Sequence, residues 1–510
     1  MNSPGLFATL RPAVTRARAF LSGLKRPQRI LFLVGACLSI VQFIMIRDFV
    51  AILYGEEVVI VLVTAAFFAG LSAGYALSLR LSRPAFERLF IASAFLHLSF
   101  PFSYRYAATL LAKLNAGGYG FLLLLFGYAL LITAAYAAFL PRLIAQPDNG
   151  KNIAARLRRN YGLELLGFLA GLMLVALGWN RPVSFLLVLY WLLLGVLLHL
   201  ALGRWRLTAS FAGVALGVSL FLPQLDFHSS ALVYEYKHRV AGARMLYSVN
   251  SPYQKVDVVE SRYDERLLYL NGLMNLNASD LRLLNYYIAE LPARLVRPER
   301  ALLIGNGTLS SVATVYPHAG TVTSVELDAG VLAASRYFVP PSVLRELERW
   351  QLHVDDAKHF LLASREKFDL IVMDVPSPLT LQVAYLHTVE FYRLANERLT
   401  DEGVISVQIS GELQRNDRTP ARVAAALRSV FPEVMVVGSR HAERGFAYAA
   451  RRLPFTSEDI RREATRRGDT VSVIEPGEVG GYLVNAKPLS VNTMDLVLRR
   501  GWERFWKRYF

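Results

Sequence analysis

The sequence predicts a multi-pass α-helical membrane bundle followed by an α/β domain with a small β-rich subdomain at its start. Three observations carry that prediction. The N-terminal half is a succession of long apolar runs, in a chain of 510 residues with 54% hydrophobic content. Basic residues punctuate those runs: residues 1–223 hold 20 Lys+Arg against 6 Asp+Glu, a net of +14, which leaves +2 for residues 224–510. After Pro223, short β-rich runs alternate with amphipathic stretches. Apolar strands that alternate with helices build a parallel sheet covered on both faces.

A membrane-crossing helix needs about 20 apolar residues. Seven runs are candidates, at about 30–52, 57–79, 89–111, 119–141, 161–179, 183–203 and 207–223, the last being short. Arg11, Arg16, Arg18, Lys25, Arg26 and Arg29 precede the first run, and Arg80, Arg83 and Arg88 follow the second. Arg142, Lys151, Arg156, Arg158 and Arg159 follow the fourth, and Arg204 and Arg206 the sixth, whereas Glu56-Glu57 occupies one of the other connections. Positive loops face the cytoplasm. The expectation is a cytoplasmic N-terminal segment (1–28), a bundle of about seven spans (29–223) and an inner-membrane location. Seven crossings would leave residues 224–510 outside, where a cytosolic nucleotide cofactor is absent. Residues 207–223 resolve the conflict if they lie half-buried instead of crossing, and the balance leans to a cytoplasmic C-terminal domain.

A basic chain also suits nucleic acid, but charges set between apolar runs point to a bilayer, and no nucleic-acid partner is expected. The single cysteine, Cys37, lies inside an apolar run. It excludes an intramolecular disulfide and a cysteine-based zinc site, and no metal site is expected. The first apolar run is long and is followed by others, which is not the pattern of a cleavable signal peptide. Gly70-Leu-Ser-Ala-Gly74 and Gly167-Phe-Leu-Ala-Gly171 place small residues four apart, a spacing that lets helix backbones approach. Gln42, Arg47, Asp48 and Glu164 lie in or near spans, where ionisable groups raise a transport or ligand role against a simpler interfacial one.

In the second half, residues 256–260 (VDVVE) and 267–270 (LLYL) read as strands and Asn271-Gly272 as a turn, giving a small β-rich subdomain over 224–300 that ends in a helical stretch at 280–291. From 301 to 412 strands and helices alternate regularly in a Rossmann-like core, and 413–510 is an α/β extension. The basic, aromatic run from Arg499-Arg500 to Trp506-Lys507-Arg508 reads as a solvated terminal helix or a membrane-surface one. In such folds ligands bind at the carboxyl ends of the strands. Gly305 and Gly307 follow the first core strand and let a ligand approach the backbone. Glu326 ends the second, at a spacing that suits a ribose diol. Asp356-Ala357 follows the third and faces an adenine, and Asp374 ends the fourth. Glycine, acid, Asp-Ala and Asp, each after its own strand, point to an adenosyl co-substrate of the S-adenosylmethionine type.

These motifs resemble the spermidine synthase (polyamine aminopropyltransferase) family, especially its membrane-fused bacterial members, over about residues 250–412. Ser251-Pro-Tyr253-Gln254-Lys255 through Glu260-Ser261, Tyr269-Leu-Asn-Gly272, Glu290-Leu-Pro292, Phe368-Asp-Leu-Ile-Val-Met-Asp374, Leu386-His-Thr-Val-Glu390-Phe391-Tyr392 and Val407-Gln408 follow the family's order. The resemblance implies transfer of an aminopropyl group from decarboxylated S-adenosylmethionine to putrescine or a related small amine, with no tightly bound cofactor. It makes Gln254 a donor contact, Glu326 the ribose ligand, Asp356 the adenine ligand and Asp374 the base, with Tyr253 and Asp280 near the cationic groups. A homo-oligomer is among the expected partners. Three family acids or pairs are replaced: Thr308 stands for the loop aspartate, Ser377 for the second aspartate after the fourth strand, and Leu284, Asn285 and Tyr286 for a Tyr/His-Glu pair. Two other readings therefore stand beside the first: an adenosyl-donor transferase with a less cationic acceptor, and a catalytically silent nucleoside- or partner-binding domain of a membrane complex.

Overall fold

The structure, a computed structural model, describes residues 23–53, 57–145, 153–178, 183–378, 380–439 and 444–493, and beyond these Asp495, Val497, Arg499, 501–503 and Lys507. Arg11, Arg16, Arg18, Glu56, Lys151, Arg500, Trp506 and Arg508, named above, lie outside the described residues. The chain divides into two compact units, one running to Phe49 and over Ile60–Lys237, the other comprising Val50–Val59 and the chain from His238 onward.

Among the described residues, five helices are long and apolar enough to cross a membrane: Arg26–Leu53, Glu57–Ser78, Gly118–Ile144, Ile153–Leu177 and Ser184–Leu202. Two expected spans depart from single crossings. The run at 89–111 is two helices, Arg83–Ser99 and Phe102–Lys113. Pro101 lies at the break, where a ring without an N–H cannot continue the helical ladder. The run at 207–223 is the helix Trp205–Leu220, followed at a bend of 65° by a second helix, Leu222–Tyr236. Counted as one broken span, that pair raises the number to six.

Residues 224–236 are therefore helical and do not open the β-rich subdomain. Pro223 sits in the first turn of the new helix, where its missing N–H costs nothing. Buried Arg105 fixes this helix: it donates to Asp226 Oδ1 at 2.5 Å and to Asp48 Oδ1 at 2.5 and 2.8 Å. The texture change at Pro223 marks a bend, and the helical unit runs on to Lys237. Both small-residue pairs lie at helix crossings. A Cβ on Gly70 would stand 2.9 Å from the Ala129 carbonyl oxygen, and one on Gly171 2.6 Å from that of Ala36. No larger residue fits these contacts.

The second unit holds two sheets. Strands β1 (Arg244–Asn250), β2 (Lys255–Glu260), β3 (Arg266–Leu270) and β4 (Leu273–Asn277) form an antiparallel sheet in that order. Asn271 and Gly272, both at positive φ (49° and 74°), make the β3–β4 turn, the backbone that two-residue hairpins require. A helical segment then leads through Tyr286–Glu290 to Leu291–Val296.

The second sheet contains β5 (Arg300–Ile304), β6 (Thr321–Glu326), β7 (Trp350–Val354), β8 (Phe368–Met373), β9 (Leu399–Gln408), β10 (Glu433–Ser439), β11 (Arg444–Ala450) and β12 (Val471–Ile474). Their order among the described residues is β12-β10-β11-β9-β8-β5-β6-β7. From β9 to β7 neighbours are parallel, whereas β11 runs against both β9 and β10. This is a Rossmann-like architecture, a largely parallel sheet whose strand order reverses beside β5. Within the α/β extension expected at 413–510, the described strands β10, β11 and β12 continue the core's own sheet.

Successive strand residues feed opposite faces. Leu302, Ile304, Ile371, Met373, Ile405 and Val407 enter one core, and Leu303, Leu370, Val372 and Val404 the other. Each such side chain, fully buried, contributes about 1.5–3 kcal/mol. Burial on both faces explains why these strands read as continuous apolar runs. The chain builds β5, β6 and β7 in one direction, then returns to lay β8 and β9 on the other side of β5. That reversal between β5 and β8 is where such a sheet opens a crevice.

Candidate active site

The crevice is lined first by the β5 loop. Gly305 has φ +76°, and its N–H donates to the Val325 carbonyl at 2.9 Å. A Cβ there would strike the Val375 side chain and stand 3.0 Å from the Asp374 carbonyl oxygen. At Gly307 a Cβ would collide with Val331 and come 3.2 Å from Glu326 Oε2. The two glycines thus bring the β5 loop against the ends of β6 and β8. Between them Asn306 is 1% exposed, and neither amide atom has a hydrogen-bond partner among the described residues. An unpaired buried amide is costly in a folded protein.

Glu326 is buried at the end of β6 and accepts from the Asp328 N–H at 2.9 Å. Desolvation is the main force that pushes its carboxyl up to about 7; the charges of Asp328 and Asp374 add to it, and the N–H groups of Asp328 and Leu327 oppose it. Asp328 was not read from the sequence, yet it organises this side. One of its oxygens caps the helix Ala329–Ala334 through the Gly330 N–H at 2.8 Å. The other accepts from Ser251 Oγ at 2.7 Å and Gln254 Nε2 at 3.0 Å. Ser251 in turn accepts from the N–H groups of Tyr253 and Gln254. A buried carboxylate therefore clamps the 251–254 loop over the end of β6. An acid two residues past the strand, before Ala-Gly, was the available signal.

Asp356 stands at the end of β7 on the exposed surface. Its Oδ1 caps the helix Ala357–Ala363 through the N–H groups of Lys358 and His359, at 2.8 and 3.2 Å. Asp355 N–H donates to the Glu326 carbonyl at 3.1 Å, which ties the ends of β6 and β7.

Asp374 lies half-buried at the end of β8, and its N–H donates to the Ile304 carbonyl at 2.9 Å. Its Oδ2 lies 2.8 Å from Ser311 Oγ, which is also 3.1 Å from Asn285 Oδ1. Desolvation raises the Asp374 carboxyl above the usual aspartate range; the Ser311 hydroxyl and the Arg444 charge pull it back. Behind it, buried His387 bridges the Pro376 carbonyl (Nε2, 3.2 Å) and the Tyr392 hydroxyl (Nδ1, 3.1 Å). A carbonyl accepts only, so Nε2 carries the proton and Nδ1 accepts from Tyr392. Burial lowers this histidine to about 4, and the neutral ring holds the segment after Asp374 in place.

Gly305, Gly307, Glu326 and Asp374 are thus brought together, with Gln254 held to them through Asp328. Tyr253 and Asp280 are exposed, and Asp280 lies in the first turn of the helix Ala278–Asn285 with no hydrogen bond to these residues. Among the described residues no cluster of His, Cys, Asp and Glu is arranged to hold a metal.

Residues 284–439 match the spermine/spermidine synthase domain. The α/β unit is spermidine synthase-like. Polyamine aminopropyltransferase of Nitrosomonas europaea is 28% identical over 211 residues, 40% of this chain and 64% of that protein. Polyamine aminopropyltransferase 2 of Pseudomonas aeruginosa is 29% identical over 238 residues, 44% of this chain and 68% of its own. The chain spans about two thirds of the length of these relatives. A crystal structure of spermidine synthase from Thermotoga maritima aligns over 47% of this chain and 84% of its own, with a TM-score of 0.39 and 20% identity. Of the three residues that replace the family's Tyr/His-Glu pair, Asn285 reaches the site of this spermidine synthase-like domain. Tyr286 turns away: its hydroxyl donates to the Glu463 carbonyl at 3.2 Å, and the Arg467 guanidinium lies 3.9 Å over its ring.

Proposed function

We propose that the spermidine synthase-like domain transfers an aminopropyl group from decarboxylated S-adenosylmethionine to a small amine, putrescine or a relative. The observation that carries this reading is the meeting of Gly305, Gly307, Glu326 and Asp374 at the strand reversal. Glu326 accepts from the ribose hydroxyls. Asp356, with Oδ1 committed to its helix, offers Oδ2 to the adenine beside Ala357. Gln254, fixed by Asp328, flanks the donor.

In the reaction the amine nitrogen attacks the methylene carbon next to the sulfonium. A C–N bond forms, the C–S bond breaks, and its electron pair stays on sulfur, leaving a neutral thioether. An amine with an ordinary pKa of about 10.4 arrives protonated, so a base must bare its lone pair and take the proton released. Asp374 fills that role. Its raised carboxyl is a better acceptor than an ordinary aspartate, while Ser311 keeps Oδ2 oriented.

In the same proposal the N-terminal helices cross the inner membrane and hold the domain on its cytoplasmic face, where the donor is made. Their length and apolar character support this, as does the placement of Arg and Lys between them. The catalytic reading is tested by calorimetry of the detergent-solubilised chain with methylthioadenosine, and by turnover of decarboxylated S-adenosylmethionine with putrescine. Absence of nucleoside binding sinks it and leaves a partner-binding domain. A reporter fused after Phe510 tests the topology; a periplasmic signal overturns it.

A further inference from the structure

The acceptor side contains a cation that the transfer reaction itself does not call for. The β8–β9 pairing sets Met373 opposite Val407, so Asp374 lies beside Gln408 at the strand ends. The antiparallel β9–β11 pairing sets Gln408 opposite Phe446, which brings the start of β11, Arg444, to that same end. Arg444 is half-buried and donates to Gln408 Oε1 at 2.9 Å. It forms no ion pair with a carboxylate among the described residues. Among the described residues its hydrogen bond to Gln408 occupies one N–H group of a fork that carries five donors.

The surroundings share this character. Ser410, immediately beyond β9, is held at φ +66°, and its buried hydroxyl has no partner among the described residues. Non-glycine residues in that conformation concentrate at ligand sites. Asn306, across the reversal, also leaves its amide unpaired. Asn285 and Ser311 are neutral. Apart from Glu326, whose carboxyl feels the Asp374 charge from the nucleoside side, the groups named here around Asp374 are a guanidinium and neutral side chains.

A diamine is poorly matched to such a site. One nitrogen gives up its proton to react, but the other remains an ammonium that needs a carboxylate and here meets Arg444. A carboxylate pairs with a guanidinium through two parallel hydrogen bonds. We propose that the acceptor is a small amine that also carries an anionic group, a carboxylate in the simplest case, bound by Arg444 while its amine faces Asp374. This rests on the transferase reading above and specifies its substrate. The carboxylate takes no part in bond making: the nitrogen forms the C–N bond, sulfur keeps the electron pair and Asp374 takes the proton.

The test is calorimetry of the full detergent-solubilised chain, saturated with methylthioadenosine, against putrescine and 4-aminobutyrate, which differ by one ammonium replaced with a carboxylate. The expected result is at least about tenfold tighter binding of 4-aminobutyrate. Arg444→Gln should remove most of that preference and Arg444→Glu should reverse it, with methylthioadenosine binding retained as the check on folding. If the variants misfold, the wild-type preference decides alone. Tighter binding of putrescine, or binding of neither amine to the nucleoside-loaded protein, overturns the inference and leaves the transferase reading standing. Failure of methylthioadenosine itself to bind overturns both.

Discussion

The two sides of the strand reversal are built differently. On the β6 side, acids are plentiful and committed. Asp328 accepts from Gly330, Ser251 and Gln254, Asp356 caps a helix, and Glu326 is pressed against the glycine loop. On the β8 side one acid, Asp374, stands among Ser311, Asn285, Gln408 and Arg444. The first side has the chemistry of a neutral, hydroxyl-rich ligand gripped by acceptors. The second has one acid, raised by desolvation and pulled back by a hydroxyl and a guanidinium. Under the proposed transferase reading, nucleoside recognition and acceptor recognition are separable, and substitutions should divide them.

The sharpest division is expected from Asp374→Asn. Removing the proton acceptor should lower turnover about 10²–10⁴-fold while methylthioadenosine affinity, measured by calorimetry, stays within a few-fold. Retained turnover would move the base elsewhere.

Glu326→Gln should do the converse. Losing hydrogen bonds to a charged acceptor, worth about 1.5–3 kcal/mol, should weaken the nucleoside about 10–100-fold. Two pH effects of opposite sign accompany it. The folded carboxyl, at about 7 against an ordinary 4.5, holds its proton more tightly than the unfolded chain does. Its contribution to stability is therefore full below 4.5 and lost as pH rises through about 7. Nucleoside affinity should instead increase over that rise, as the carboxylate forms. Thermal melts of the free protein and titrations across pH 5–8 should both lose this dependence in the Gln variant.

Asp328→Asn should come next. It disturbs a helix cap and the clamp on residues 251–254, at a cost of about 1–3 kcal/mol in stability, with nucleoside affinity about tenfold lower. Unchanged affinity would show that the clamp does not position Gln254. The smallest effect is expected from His387→Phe, which strands the Pro376 carbonyl and the Tyr392 hydroxyl at about 1–3 kcal/mol without touching a ligand. Burial lowers His387 from 6.5 to about 4, so its contribution is complete above 6.5 and lost as pH falls toward 4. Acid unfolding of the variant should be less steep in that range.

Much of this arrangement was legible in the residues. Gly305, Gly307, Glu326 and Asp374 could be placed because each follows an apolar strand, and strand ends in a parallel sheet share one edge. What stayed hidden depended on neighbours distant in sequence. Asp328 gains its meaning from Ser251 and Gln254, 77 and 74 residues away. Arg444 reaches the site only because β11 runs antiparallel to β9, a register that local composition does not encode. In the helical half, length and hydropathy located the apolar runs. They did not place the breaks at Pro101 and near Pro223, where a proline sits within or beside a run that is otherwise apolar enough to continue.

The position of β11 bears on how the chain assembles as it is made. β10 is synthesised before β11, yet β11 is the strand that joins it to β9. A ribosome that has released residues up to 439, where the family match also ends, has delivered β10 with no partner on either side, since its other neighbour, β12, comes later still. Two strand edges, one on β9 and one on β10, must wait in water until residues 444–450 emerge and fill the gap between them. The same late strand carries Arg444, so the gap between β9 and β10 is filled and Arg444 is brought beside Gln408 in a single event.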